Sequence, residues 1–123
     1  MSYHDPQPSG DPQASGKLAD RATAVAAALA QLGLRPQERV LIMLTDGPVF
    51  LDAFAGTIRR GAVPLPVNPH LPAADIAAIV THTGARLVLT SAERVDGLAD
   101  LDAEPPVRVD GHQELWVSAL RKH

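Results

Sequence analysis

The run Arg39-Val40-Leu41-Ile42-Met43-Leu44-Thr45, followed by Asp46-Gly47-Pro48, decides the fold. A nearly continuous apolar stretch closed by a turn signal describes a strand buried on both faces, as in a parallel sheet covered by helices. Asp46 is positioned to cap the next helix, with Pro48 in the first turn, where a backbone N–H is not needed. On that helix Phe50, Leu51, Phe54, Ala55 and Ile58 trace an apolar face out to Arg60, and Gly61 stops it. On the N-terminal side, Leu18, Ala22, Val25, Ala26, Leu29 and Leu32 recur at spacings of three and four. They predict a helix over 17–32 that ends at Gly33 and whose alanines let it pack close to a sheet.

Downstream, Ala62–Val67 reads as a short strand in which Pro64 and Pro66 alternate, so that only one side loses hydrogen bonds; this suits an edge or a bend. Asn68-Pro69-His70-Leu71-Pro72 forms a turn. Ala73–Thr83 is a helix with Ile76, Ile79 and Val80 inward and Gly84 as its stop, and Arg86–Thr90 is a third strand. The tail reads as a helix over Ala92–Leu101, a short strand Val107–Val109 and a closing helix over Gln113–Arg121. The fold class is therefore α/β: three layers, a mainly parallel sheet with helices on both faces and right-handed crossovers. Lengths agree, since a 16-residue helix and a 6-residue strand span about 24 and about 20 Å.

At 123 residues the chain holds one domain. Residues 1–16, rich in Pro, Gly and Ser, are expected to be a disordered leader, and 17–123 a single α/β domain. Eleven basic against fourteen acidic residues give a net charge of −3, which argues against nucleic acid as a partner. The absence of cysteine removes disulfides, thiolate metal cages and thiol nucleophiles, and fits a cytoplasmic location. No run approaches the roughly 20 apolar residues of a membrane span, so no membrane insertion is expected.

The string Gly10-Asp11-Pro12-Gln13-Ala14-Ser15-Gly16-Lys17-Leu18 imitates a phosphate loop and fails as one. A phosphate loop has four residues between its glycines and a hydroxyl after the lysine; here five intervene and Leu18 follows Lys17. The histidines His4, His70, His82, His112 and His123 include no i, i+4 pair, and His82 falls on the polar side of its helix. Asp46 and Asp52 divide between a cap and a helix face. A receiver-type reading of Asp46 lacks the required partner acids and lysine. Ligands of open parallel sheets bind at the carboxyl ends of the strands, which makes Asp46, Asn68, Thr90 and Ser91 the candidate ligand contacts. The same residue types also cap helices and hold turns. No catalytic, cofactor-binding or metal-binding residue is assigned.

The strings Leu18-Ala19-Asp20-Arg21-Ala22, Leu32-Gly33-Leu34-Arg35-Pro36, Arg39–Leu44, the block Arg59-Arg60-Gly61-Ala62-Val63-Pro64-Leu65-Pro66-Val67-Asn68-Pro69 and Thr83–Thr90 occur in order. Together they resemble the N-terminal segment of the adenylate-forming (AMP-binding) acyl- and aryl-CoA synthetase superfamily, with a flavour nearest bacterial benzoate-type CoA ligases. The resemblance covers about 18–91 and fades over 92–123. It departs in the leader, where Ala14-Ser15-Gly16-Lys17 replaces a Thr-Tyr pair, and at Gln37-Glu38, where Gly-Asp is common.

Complete family members activate a carboxylate with ATP and magnesium and pass the acyl group to a thiol such as CoA. Their phosphate loop, adenine and ribose motifs, magnesium-binding Glu and C-terminal Lys lie beyond the matched segment. The resemblance thus implies a truncated or fragmentary acyl/aryl-CoA synthetase-like ligase of fatty or aromatic acid metabolism that is inactive alone. It implies ATP, magnesium and CoA only for a complete member, and no cofactor for this chain by itself. Expected partners are a second copy or the remainder of a synthetase. The alternative is a stand-alone interaction module that self-associates or pairs with a full-length synthetase.

Overall fold

A computed structural model describes the backbone of residues 12–121 and the side chains of residues 17–121. In chain order the elements are α1 (Pro12–Gln31), β1 (Arg39–Met43), α2 (Pro48–Arg60), β2 (Val63–Val67), α3 (Ala73–Thr83), β3 (Leu87–Ser91), a 3-10 helix (Ala92–Leu101), β4 (Val107–Arg108) and β5 (Leu115–Ala119). Residues 1–11 of the expected leader lie outside the described residues, while 12–16 form the start of α1, five residues ahead of the predicted helix.

The five strands form one sheet in the order β2-β1-β3-β5-β4. β1 pairs in parallel with β2 and β3, whereas β5 runs antiparallel to both β3 and β4. The three layers follow from alternation along the strands. Val40, Ile42, Leu87, Leu89, Leu115 and Val117 join Val25, Leu29 and Ala53 in one buried cluster beneath α1 and α2. On the other face Leu41, Met43 and Val88 pack with Ile76 of α3 and with Leu98 and Leu101 of the 3-10 helix. Successive strand residues point to opposite faces, so a strand apolar at every position needs helices on both sides.

The two prolines of β2 take the place the sequence assigned to them. β2 is an edge strand, and the Val63 N–H donates to the Glu38 carbonyl at 2.9 Å. Alternation then turns Pro64 and Pro66 to the outer side, where the missing donors leave the ladder intact and block pairing with another strand. Gly61 and Gly84 end α2 and α3 in the left-handed conformation, at φ 84° and 69°. Glycine reaches this region without the Cβ penalty that other residues carry.

Three expectations change. Gln113–Arg121 contains β5 instead of a closing helix. Leu115 and Val117 face the α1/α2 core while Trp116 turns away, a two-residue period, and the strand satisfies the otherwise open edge of β3 in register Thr90↔Trp116. The N-cap of α2 is Gly47, without a side-chain cap, so Asp46 stands one residue too early for that role.

The largest correction concerns α2 itself. Its buried residues are Asp52, Ala53, Gly56 and Thr57, while Leu51, Phe54 and Ile58 are 57%, 37% and 54% exposed. Of the stripe read as the core face, Phe50 packs against the core beneath α1 and α2, whereas Leu51, Phe54 and Ile58 point away from the sheet. Close packing explains the choice of the small face: a Cβ added at Gly56 would stand 2.4 Å from Val25 Cβ and 2.9 Å from the Ala22 carbonyl oxygen. α1 and α2 therefore meet almost backbone to backbone.

Glu38 ties the loop before β1 to the start of β3. Its carboxylate accepts the Arg35 N–H at 2.8 Å and an Arg86 N–H at 2.6 Å. The backbone donor first, and the Arg86 charge with it, hold the Glu38 carboxyl below its ordinary value of 4.5. A group with a depressed folded pKa stabilises the fold above its unfolded pKa and loses that contribution as pH falls through the folded value. Glu38→Gln is accordingly expected to destabilise at pH 7 by about 0.5 kcal/mol, as suits a half-exposed pair. In acid denaturation series its difference from wild type should shrink below pH 4.5. A difference constant from neutral to strongly acidic pH would count against this role.

Candidate functional site

The carboxyl ends of the parallel strands hold the four candidate contacts, and the fold separates them into two pairs. Asp46 and Asn68 line one open cavity of 350 Å³ with Leu44, Phe50 and Pro66. The Asn68 Oδ1 accepts the His70 N–H at 2.9 Å, so this side chain holds the 68–72 turn. Thr90 is fully buried, and its hydroxyl donates to the Met43 carbonyl at 3.0 Å, tying β3 to β1. Ser91 is half-buried and precedes the 3-10 helix without capping it through its side chain. Neither Thr90 nor Ser91 lines the cavity that contains Asp46 and Asn68.

A second cavity, of 240 Å³, lies between the start of α3 and the 3-10 helix, with Met43, Leu71, Ile76, Arg94 and Leu101 in its wall. Arg94 also approaches the ring of the exposed His70, Nη2 to Nε2, at 3.3 Å. His82 is exposed, as its helical position predicts.

The most developed polar constellation was not visible in sequence spacing. Asp52 of α2 and His112 of the β4–β5 turn are 2% and 5% exposed, and the His112 Nε2 lies 2.8 Å from the Asp52 Oδ2. Arg21 of α1 donates its Nε–H to the same oxygen at 2.8 Å. The Glu114 N–H donates to the His112 Nδ1 at 3.1 Å, which places the ring proton on Nε2, pointing at Asp52. A His–Asp pair acts as a general base when its other ring nitrogen is free to take a proton. Here both nitrogens are engaged, and the neighbouring Thr57 hydroxyl donates to the Ala53 carbonyl at 2.8 Å. The cluster joins α1, α2 and the hairpin. Asp52 Oδ1 is buried without a hydrogen-bond partner among the described residues.

The Arg59–Pro69 block is likewise structural. Arg60 donates through Nε to the Leu34 carbonyl at 3.0 Å and through Nη2 to the same oxygen, while the Gly61 carbonyl accepts the Gln37 N–H at 2.7 Å. These bonds fasten the end of α2 to the α1–β1 loop. Among the described residues no three His, Cys, Asp or Glu side chains converge to hold a metal ion, and Pro48 at the start of α2 has no backbone N–H to donate.

Fold and site together define a three-layer α/β scaffold whose most buried polar groups hold its own layers in place. The AMP-binding enzyme family model matches residues 15–121. The benzoate–CoA ligase of Thauera aromatica is 35% identical over 75 residues, which cover 61% of this chain and 14% of that protein. A 4-coumarate–CoA ligase of Pinus taeda is 38% identical over 79 residues, 64% of this chain and 15% of that protein. The crystal structure of a benzoate CoA ligase from Burkholderia xenovorans LB400 superposes with a TM-score of 0.65 at 36% identity, covering 70% of this chain and 18% of that one. The chain belongs to the AMP-binding enzyme family. It spans about one-seventh of the length of the two ligases matched in sequence.

Proposed function

We propose that this chain provides the N-terminal α/β unit of an acyl- or aryl-CoA ligase of the AMP-binding family, and that by itself it does not form an acyl-adenylate. The observation that carries this reading is the family match over 15–121, together with alignments to two CoA ligases that cover only 14% and 15% of those proteins. Adenylation passes through a crowded, highly charged phosphorus that needs placed cations and N–H donors. Here the buried Thr90 hydroxyl is bonded to Met43, and both ring nitrogens of His112 are bonded, to Asp52 and Glu114. ATP, magnesium and CoA would belong to the complete enzyme, and Asp46 and Asn68 are the residues nearest to a ligand contact on this unit. Among the described residues no helix is long and apolar enough to cross a membrane, and the acidic balance disfavours nucleic acid as a partner; a cytoplasmic location is part of the proposal.

The second reading, an interaction module that self-associates, draws on the exposed stripe of Leu51, Phe54 and Ile58. Thermal unfolding of the purified chain tests the first. Ligand that binds only the folded state raises stability by RT ln(1 + [L]/Kd). The melting temperature is expected to stay unchanged in millimolar ATP with magnesium, or with a nonhydrolysable acyl-adenylate analogue. A saturable rise would establish a nucleotide site on this unit and overturn the proposal.

A further inference from the structure

We infer that the groove between α1 and α2 is a seam onto which the remaining polypeptide of an AMP-binding CoA ligase packs; this rests on the function proposed above. The inverted pattern of α2 carries the argument. At about 100° per residue, Leu51, Phe54 and Ile58 fall within an arc of about 60° on the side opposite Asp52, Ala53, Gly56 and Thr57. The inner face already packs on α1 and the sheet, and the outer face is aliphatic and aromatic yet 37% to 57% exposed. A helix apolar on its outer face and buried on its inner one belongs inside a larger body.

The groove is shaped as well as apolar: Ala22, Phe54, Ala55, Ile58 and Arg59 line a concavity of 470 Å³. Phe54 is braced by Phe50, with ring centroids 6.0 Å apart. Other surfaces offer less. Both sheet faces are covered, the outer edge of β2 is closed by Pro64 and Pro66, and the other exposed large apolar residues are scattered, with Leu18 near the start of α1, Leu32 just past its end, Val63 on β2 and Val107 on β4. The occupant follows from length, because the benzoate CoA ligase that superposes on this unit has 82% of its chain outside the matched part. Arg59 at the rim makes no ion pair among the described residues, which matches an apolar ridge bearing a carboxylate at one end.

The test joins the full chain to the Burkholderia xenovorans benzoate CoA ligase in place of that enzyme's matching segment, and compares the chimera with the free chain. Leu51→Glu with Ile58→Glu probes the outer face of α2, with Ile58 in the groove wall and Leu51 two turns before it on the same stripe, and Leu32→Glu, at a position 43% exposed, is the control. In the free chain both sets are expected to leave the melting temperature unchanged. In the chimera the groove pair should lower soluble, folded protein roughly tenfold or more, because it buries unpaired charge, while the control does not. Equal effects of pair and control in the chimera would overturn the seam and leave the proposed function standing. Equal loss in the free chain would also overturn it, by showing that the face is internal packing. A free chain that is dimeric and becomes monomeric with the pair would assign the groove to a second copy instead. A chimera that fails to fold with the unaltered segment would sink the proposed function itself.

Discussion

Gly56→Ala is expected to lower stability by about 2 kcal/mol, moving the thermal midpoint of a domain this size by roughly 8 °C. Two terms compete. Replacing glycine inside a helix with alanine gains about 1 kcal/mol through the unfolded chain and helix propensity. Against it stands a methyl group placed 2.4 and 2.5 Å from the Val25 side chain and 2.9 Å from the Ala22 carbonyl oxygen. Val25 is fully buried, and the Ala22 oxygen is backbone, so relief requires the two helices to move apart. Overpacking of this kind costs about 3 kcal/mol, near the top of its usual range, and wins. Gly97→Ala is the matched control: its added Cβ meets nothing within 4 Å, so its midpoint should stay near wild type. If Gly56→Ala melted with Gly97→Ala, the close approach of α1 and α2 would be wrong.

His112→Ala is expected to cost about 3 kcal/mol, because it strips one donor from a carboxylate that is 2% exposed and already has one unpartnered oxygen. Arg21→Ala should cost less, about 1 kcal/mol, since the Arg21 side chain is 39% exposed and water can replace part of its interaction. The double variant His112→Ala with Asp52→Ala separates the pair from its surroundings. A coupling of about 2 kcal/mol is predicted, and additive losses would show that the 2.8 Å contact contributes nothing beyond packing. Hydrogen exchange adds a spatial readout: the loss of protection in His112→Ala should concentrate in β4 and β5, which this bond anchors to α2.

Periodicity exposed the parallel part of the fold because β1 is apolar at every position and glycines stand at the helix ends. The same logic misread α2. Leu51, Phe54 and Ile58 carry the strongest apolar signal on the helix, yet helix-to-helix contact selected Gly56, Ala53 and Thr57 for closeness. Apolar periodicity reports that a face is buried somewhere, without naming the body that buries it. The β5 error has a similar cause, since Leu115 to Ala119 is short enough to fit either period and only the open edge of β3 decides it. His112 and Asp52 stand 60 positions apart, beyond the reach of any local spacing rule. The family, by contrast, was legible in the Arg59–Pro69 block, of which Arg60 and Gly61 bond to the 34–37 loop and Pro64 and Pro66 close the sheet edge.

Whether these residues adenylate decides between a structural unit and a working enzyme. Pyrophosphate release by the purified 123-residue chain, with ATP, magnesium and a panel of aromatic and fatty acids, is the most direct measurement. The rate with each acid is predicted to equal the rate without acid, and added CoA should change nothing. Acid-dependent, multiple-turnover release that disappears on heat denaturation would contradict the account, because it would place a working adenylation site within this α/β unit.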